Sequence, residues 1–341
     1  MHNIRYMRSQ GSDREGGWGV KINPCPSKAV IFVLVILFFF SCKMFPDSNR
    51  HYSDGNPDKV YKLRLNPPSG GTYYYSITNE SAFKMEVDDK KVDNRNTSTV
   101  GLSYKVNRDS AGDLLLDILY DKVHVKTNNR DNNEEEMDAD NAAGSANQVE
   151  KLLGYLKGAT IRVVLSPKGE MRSVTGYEAI KGKIMSGFQP DDTYSKTIAE
   201  QQWDQRIKAG LIQKNMEQLF KIFPDSEVHV GDKWRLHTEE RDEVNMRISS
   251  VFTLTGTHDG VAVIRSEGDI RSQDSTGSAM GYNFAVSLKG KQEGQFELQM
   301  ATGMVVSSSL ESNIEGEMDM LGRKVPMTIH SKVEVLGRQV R

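Results

Sequence analysis

From residue 61 onward the chain alternates between apolar and polar positions with a period of two, the pattern of strands buried on one face. Residues 61–65 (YKLRL) alternate, and Pro67-Pro68-Ser69-Gly70-Gly71 turns the chain. Strands are predicted at 72–77, 82–87, 100–106 and 114–125, with Val100, Leu102, Tyr104 and Val106 sharing one face. The alternation is clearest from residue 227 to the end. Val244, Met246, Ile248, Phe252 and Leu254 share a face on which Ser250 is the one polar member. A turn at 256–260 leads into a strand at 261–265. Met280, Tyr282, Phe284, Val286 and Leu288 alternate without a break, and Phe296, Leu298 and Met300 follow Gly290 and Gly294. After a turn at Thr302-Gly303, Met304, Val306, Leu310 and Ile314 are expected on one side. Val325, Met327, Ile329, Val333 and Val335 close the series. One apolar and one polar face per strand predicts an antiparallel sheet with one wet face. Its edges must be handled by curvature, closure or cover.

Between the two strand-rich halves the period changes. Ser145 and Gln148 have capping-box spacing, Val149, Leu152, Leu153 and Leu156 form a stripe, and Gly158 ends the helix. Residues 161–165 and 170–174 read as a hairpin across Ser166-Pro167-Lys168-Gly169. Thr175 and Glu178 form a second capping box for a short helix through Ile180 and Ile184. Residues 193–223 are the longest helical candidate, with Trp203, Ile207, Leu211, Ile212, Met216, Leu219, Phe220 and Phe223 at helical spacing and Pro224 as the stop. Core packing explains that stripe, and a helix lying in a lipid cavity is the alternative. Residues 128–147, with DNNEEEMDAD, lack the glycine and glutamate spacing of a calcium loop and read as a solvated, disordered loop. The expected fold class is therefore α+β, mainly β. It is one domain over 60–341, a large curved antiparallel sheet, half-open and barrel-like, with the helical segment 145–223 packed on its concave face. Two hairpins, around 102–118 and 251–264, are alike enough to raise an ancient duplication as a question.

The first residues carry a different signal. Residues 29–40 (AVIFVLVILFFF) are twelve apolar residues, too few for a span of about 20 but suited to a signal peptide's apolar core. Lys21 and Lys28 precede it, and Ser41 and Cys42 follow. An apolar run ending in a small residue and cysteine resembles the lipobox of bacterial lipoproteins, in which the cysteine is diacylated. Phe39 and Phe40 depart from the usual leucine and small residue, and such FFSC boxes are similar to those of Bacteroidota lipoproteins. Residues 1–41 are then a signal peptide and 42–59 a lipidated cysteine with a flexible tether. The polar stretch before Lys21 suggests that translation starts at Val20. Loss of product on changing Met1 alone would overturn that start.

Processing alters the charge. The chain of 341 residues has net charge −2, two cysteines and 29 glycines. Removing residues 1–41 takes five basic side chains (Arg5, Arg8, Arg14, Lys21, Lys28) and two acidic ones (Asp13, Glu15). That leaves 39 against 44 and a net charge of −5, which argues against nucleic acid as a partner. One cysteine then remains, so neither a disulfide scaffold nor a four-cysteine zinc site is available. An acidic run directly after the cysteine resembles the surface-export signal of some Bacteroidota lipoproteins, and its absence here implies, on that resemblance, an outer-membrane anchor facing the periplasm.

Catalytic chemistry is hard to find. G-x-S-x-G, H-E-x-x-H, Walker A and G-x-G-x-x-G sequences are absent. The histidines are scattered, and His229 and His237 would meet only across a tight turn. Glu311, Glu315, Glu317 and Asp319 alternate with apolar neighbours and read as a solvated outer face. Tyr73, Tyr74 and Tyr75 read as a strand with mixed faces, with sugar stacking as the alternative. Phe223-Pro224-Asp225 to Gly231-Asp232-Lys233-Trp234 reads as a helix stop and strand entry, with Trp234 packing.

The V-L-S-P-K-G hairpin with S-V-T-G-Y-E after it, the F-P-D…V-G-D-K-W entry and the K-G-K-Q-E-G-Q-F-E-L…T-G-M hairpin resemble an uncharacterised family of Bacteroidota cell-envelope lipoproteins, a domain of unknown function. The resemblance spans most of residues 61–335 and implies no substrate and no catalytic residues. The expectation is a lipid-anchored periplasmic protein without catalytic activity, binding an apolar ligand or an envelope partner. A structural or assembly role with no small ligand is the alternative, and a hydrolase comes third. No cofactor or metal is expected. An apolar cavity lined by Met216, Phe220, Phe284 and their neighbours would separate the first reading from the second.

Overall fold

The computed structural model describes residues 58–340 except 88–89, 129–133, 146, 189–192, 194–195, 198–199, 202–219, 242–244, 274–275, 280–281 and 321. Cys42, the tether as far as residue 57, Met216 and most of the 193–223 helix lie outside the described residues.

The first half of the chain forms β1 (Thr72–Val87), β2 (Lys90–Arg108), β3 (Leu114–Asn128), β4 (Glu134–Asp138), α1 (Gln148–Leu156), β5 (Thr160–Leu165), β6 (Met171–Thr175) and α2 (Tyr177–Ser186). The second half forms β7 (Lys233–Arg241), β8 (Asn245–His258), β9 (Val261–Ser272), β10 (Thr276–Ala279), β11 (Tyr282–Gln299), β12 (Val305–Met320) and β13 (Arg323–Val340). All thirteen strands join one antiparallel sheet in the order β6-β5-β3-β2-β1-β13-β12-β11-β9-β8-β7, with β4 added to β3 and β10 to β11. The sheet is not closed.

This order has a simple origin. Each half is a meander, and the first and last strands pair in the middle. Ile77 of β1 lies opposite Val100 of β2 on one side and Val335 of β13 on the other. The two free edges are β6 and β7. Inner-face residues from β1, β2, β3, β5, β8, β9, β11 and β13 share one buried cluster with α1 and α2. Strands so far apart in the order meet in one core only if the sheet curves round it. The mainly β fold with a large antiparallel sheet predicted from the sequence is what the chain forms, with few helices among the described residues.

Several local expectations are corrected. Residues 61–65 do not join the sheet. They run as an extended strap in which Tyr61, Leu63 and Leu65 are buried. Tyr61 pairs its backbone with Val228, Leu65 N–H donates to the Pro167 carbonyl at 2.9 Å, and Asn66 N–H to the Thr302 carbonyl at 2.7 Å. The alternation was real, but it reports burial of one side of a strap. Gly303 adopts φ +67°, and a Cβ there would strike the Arg64 carbonyl of this strap. Gly169, at φ +81°, faces the Phe220 carbonyl in the same way. Two turns thus seat their glycines against the segments crossing the sheet's open side.

The acidic segment 128–147 is not wholly a loop. Residues 134–138 form β4 on β3, anchored by Met137, which is 2% exposed. One buried methionine and a ready edge outweigh the local charge. The strands read at 72–77 and 82–87 are one strand, and those on either side of Gly290 and Gly294 are one strand, β11. Residue 175 ends β6, and Gly176 (φ +95°) is the N-cap of α2, with no side-chain cap. Val306 is exposed while Met304 is buried, because the β11–β12 register shifts between Glu297 and Leu298.

Candidate functional site

The inner face changes character along the strands. At one end lies the main apolar cluster. Over it pass the strap and residues 220–223. Trp234 holds this second segment, donating its indole N–H to the Ile222 carbonyl at 3.1 Å and stacking on Phe252 at 5.8 Å. Lys168 pairs with Asp225 at 2.7 Å, tying the β5–β6 turn to the chain just before β7.

Between these parts is an apolar cavity of about 90 Å³. Its floor comes from the sheet: Tyr75 of β1, Tyr104 of β2, Val333 and Val335 of β13, Phe296 of β11 and Leu310 of β12. Its roof is Leu65 of the strap with Phe220, Ile222 and Phe223. The volume is several times what one water needs, and is on the scale of apolar cavities that stay dry and bind a benzene-sized group. Tyr75 and Tyr104 pack at 4.8 Å between ring centroids, and Tyr75 donates its hydroxyl hydrogen to the Val305 carbonyl at 3.1 Å. Burial pushes the Tyr75 phenol far above its ordinary value, with the neighbouring Tyr104 and Tyr73 adding to the rise and the Val305 hydrogen bond opposing it. Burial likewise raises Tyr104, helped by Tyr120, and lifts Tyr120 to about 12. These phenols stay neutral, and the wall stays uncharged.

Next to the cavity the face turns polar. Ser250, Gly268, Gln292, Ser312, Ser331, Ser81 and Asn96 are paired each with the next across β8, β9, β11, β12, β13, β1 and β2. They form one polar rung across seven strands. The neighbouring rung toward the cavity includes Ser266 beside Gly294. Beyond the polar rung a second apolar cluster follows, Ile248, Ile270, Val286, Leu288 and Ile314. Ser331 is 2% exposed and Ser266 3%. Their hydroxyl oxygens, and Oε1 of Gln292, have no hydrogen-bond partner among the described residues. A smaller cavity of about 40 Å³ opens here, lined by Ser250, Ser266, Gln292, Thr238 and Lys221. It shares Ile222, Phe296 and Leu310 with the larger one.

The residues singled out in the sequence fall in different places. Phe220 lines the larger cavity. The backbone of Phe284 sits on β11 opposite Met320. It is twelve positions from Phe296, about 40 Å along an extended strand, so the two do not share the cavity. Met216 and Cys42 lie outside the described residues. His229 contacts Asp232 at 3.3 Å and His237 contacts Ser249 at 3.0 Å, so the pair is not brought together. His124 lies between Glu136 and Asp138 of β4, at 3.3 and 3.2 Å. Among the described residues no group of three or more His, Cys, Asp or Glu is placed to hold a metal ion, and no helix is long and apolar enough to cross a membrane. The outer face carries ion pairs such as Lys291–Asp269 at 2.6 Å and Lys289–Glu315 at 3.2 Å. Sequence reasoning missed Tyr75, Tyr104, the strap's Leu65 and the polar rung. Ser250 and the glycines of β11 were its only traces, because a rung exists only once register is set.

The geometry defines an open antiparallel β-sheet protein with an apolar cavity under two crossing segments. A family described as a family of unknown function (DUF6263) matches residues 111–305, more than half of the chain, and the chain belongs to it. No curated protein matches the chain. Among solved structures it is similar to lipovitellin, in a structure titled for lipid–protein interactions, at 9% identity and a TM-score of 0.45. That match covers 80% of this chain but only 25% of the lipovitellin chain. The OccK7 (OpdD) protein of Pseudomonas aeruginosa matches at 8% identity and a TM-score of 0.22, covering 80% of this chain and 99% of that one. An outer membrane channel from Pseudomonas putida F1 matches at 8% identity and 0.19, covering 87% and 100%. None of these scores establishes a shared fold.

Proposed function

We propose that this protein is a cell-envelope lipoprotein, anchored through a diacylated Cys42 in the outer membrane and facing the periplasm, that binds an apolar ligand without chemical change. The observation that carries the reading is the cavity of about 90 Å³ walled by Val333, Val335, Phe296, Leu310 and Phe220. Cavities that merely reflect imperfect packing are small and few. This one draws its walls from both halves of the sheet and from two crossing segments. Its neutral tyrosines suit an uncharged guest, and a tether over residues 43–59, as the sequence predicts, would give about 20 Å of reach from the membrane. Anchoring is supported by the sequence AVIFVLVILFFFSC at residues 29–42.

Two measurements test the two parts. Metabolic labelling with palmitate is expected to mark the wild type and not the Cys42→Ala variant. Equal labelling of both would end the anchor reading. Native mass spectrometry of the Cys42→Ala protein is expected to show a co-purified apolar molecule that is lost when Val333→Phe fills the cavity. A bare mass, together with no uptake of an added alkane, would leave the structural or assembly role as the better reading.

A further inference from the structure

We infer that the guest is a single-chain amphiphile, with its hydrocarbon in the larger cavity and an uncharged hydroxyl- or amide-bearing end hydrogen-bonded by Ser266 and Gln292 in the smaller one. The inference rests on the apolar-ligand reading above and adds the chemistry of the polar end.

Three observations carry it. First, the two cavities adjoin, sharing Ile222, Phe296 and Leu310 as a common wall. A chain passing between these side chains would occupy both. Second, Ser266 is 3% exposed, lines the smaller cavity, and its hydroxyl has no partner among the described residues. A buried hydroxyl without a partner is rare in a folded protein, and Ser266 differs from the equally unpartnered Ser331 in lining a cavity. Gln292 lines the same cavity, and its Oε1 is also unpartnered. Third, the shared wall lies beside the polar groups. A Cβ on Gly294 would strike Leu310 Cδ1 at 2.4 Å and lie 3.1 Å from the Ser266 hydroxyl oxygen, so this glycine lets the wall residue Leu310 pack next to Ser266. A Cβ on Gly268 would lie 2.9 Å from the Ser250 hydroxyl oxygen.

The chemistry of these atoms selects the guest. An amide oxygen only accepts, while a serine hydroxyl both donates and accepts. A hydroxyl or amide N–H on the guest satisfies Gln292 and leaves an oxygen for Ser266. A carboxylate has no donor for Gln292 Oε1. Lys221, a cation on the same lining, donates to the His237 carbonyl at 3.3 Å, so the selection rests on the donor that Gln292 requires and not on charge. The pairing therefore favours a fatty alcohol, a monoacylglycerol or an N-acyl compound over a fatty acid.

The test uses the full chain carrying Cys42→Ala, with 1-octanol, octanoate and n-octane as probes read by calorimetry or ligand-observed NMR. Octanol is expected to bind at least tenfold more tightly than octanoate at pH 8. Ser266→Ala and Gln292→Leu should each weaken octanol about tenfold, ~1.4 kcal/mol, while leaving octane binding unchanged. Circular dichroism of both variants checks that they fold, and Ser331→Ala, on the same face but outside either cavity lining, serves as a control that should not change octanol affinity. If octane binds but the two variants leave octanol unaffected, because only water meets those groups, the present inference fails alone. Tighter octanoate binding also overturns it. If no probe binds, the apolar-ligand reading falls with it.

Discussion

In the first half of the sheet, Leu114, Leu116 and Ile118 of β3 and Val163 and Leu165 of β5 are all at most 1% exposed. Leu153 and Leu156 of α1, both fully buried, and Ile180 and Ile184 of α2 join them in one cluster. In the second half the corresponding inner positions include Ser250, Gly268, Gln292, Ser312 and Gly294. The contrast teaches where this fold is stabilised and where it keeps space. Around β3, β5, α1 and α2 the first half is a conventional sheet-and-helix core of buried apolar side chains. The second half has the more regular alternation, yet a polar rung interrupts its apolar face, running on into β1 and β2, and cavities lie beside Phe296 and Leu310. Regular alternation, then, marks a strand but does not mark the best-packed part of a molecule.

Four measurements would break or sharpen the comparison. The largest effect is expected from Leu116→Ala, which empties a filled site in the first half and should lower the unfolding free energy by about 2–5 kcal/mol. Denaturant titration reads it, and a loss below ~1 kcal/mol would mean that the first half is not the stabilising core. Next comes Gly316→Ala on β12, whose new Cβ would strike the Ser287 carbonyl of β11. A cost of about 1–3 kcal/mol is expected from the forced backbone shift, and no cost would show that the second half is slack rather than tightly paired.

The third concerns alkali. Tyr73, Tyr75, Tyr104 and Tyr120 all have phenols raised by burial. The unfolded chain ionises its tyrosines near pH 10 while the folded one holds these protonated. Their contribution is therefore complete below pH 10 and is lost as pH rises above it. Absorbance of tyrosinate should show these phenols ionising only together with unfolding, and separate early ionisation would contradict a dry cavity wall. The smallest effect is expected from Ser331→Ala on the polar rung. Its hydroxyl is buried and unpartnered among the described residues, so removing it should leave stability within about 1 kcal/mol or raise it. A clear loss in thermal melts would show that the rung has partners of its own and is part of the packing.

The edge strand β4 offers a local version of the same question. Burial pulls the Asp138 carboxyl upward, but the Asp140 N–H and His124 outweigh it and hold it below its ordinary value. A lowered carboxyl stabilises the fold above its unfolded value and the gain is lost as pH falls through the folded value. Loss of β4 amide protection below pH 4, ahead of β3, would express this.

Much of the fold was legible. The period-two runs located most strands, Gly303 and Gly169 marked turns, and Leu153 and Leu156 announced a helix with a buried stripe. Polar inner positions hid the rest: Asn79, Ser81, Asn96 and Ser98 made β1 and β2 look shorter than they are, and Glu134 to Glu136 disguised β4. The candidate site was legible only at Phe220. Phe284 shares its alternation with Phe296, but position along a strand, not periodicity, decides whether two residues meet.

By itself the sequence determined the class of the elements, the wet and dry faces of each strand and the signal-like segment ending at Cys42, because these depend on neighbours a few residues apart. Only the tertiary structure decided that β1 pairs with β13, that the Tyr61–Leu65 run is a strap, and that Ser250, Gln292, Ser312 and Ser331 line up in one rung. Those facts depend on register between strands more than 240 residues apart in the chain, as from Met85 to Met327, which short-range pattern does not encode. The cavities exist for the same reason: each is walled by segments far apart in the sequence that meet only where the curved sheet bends round its core.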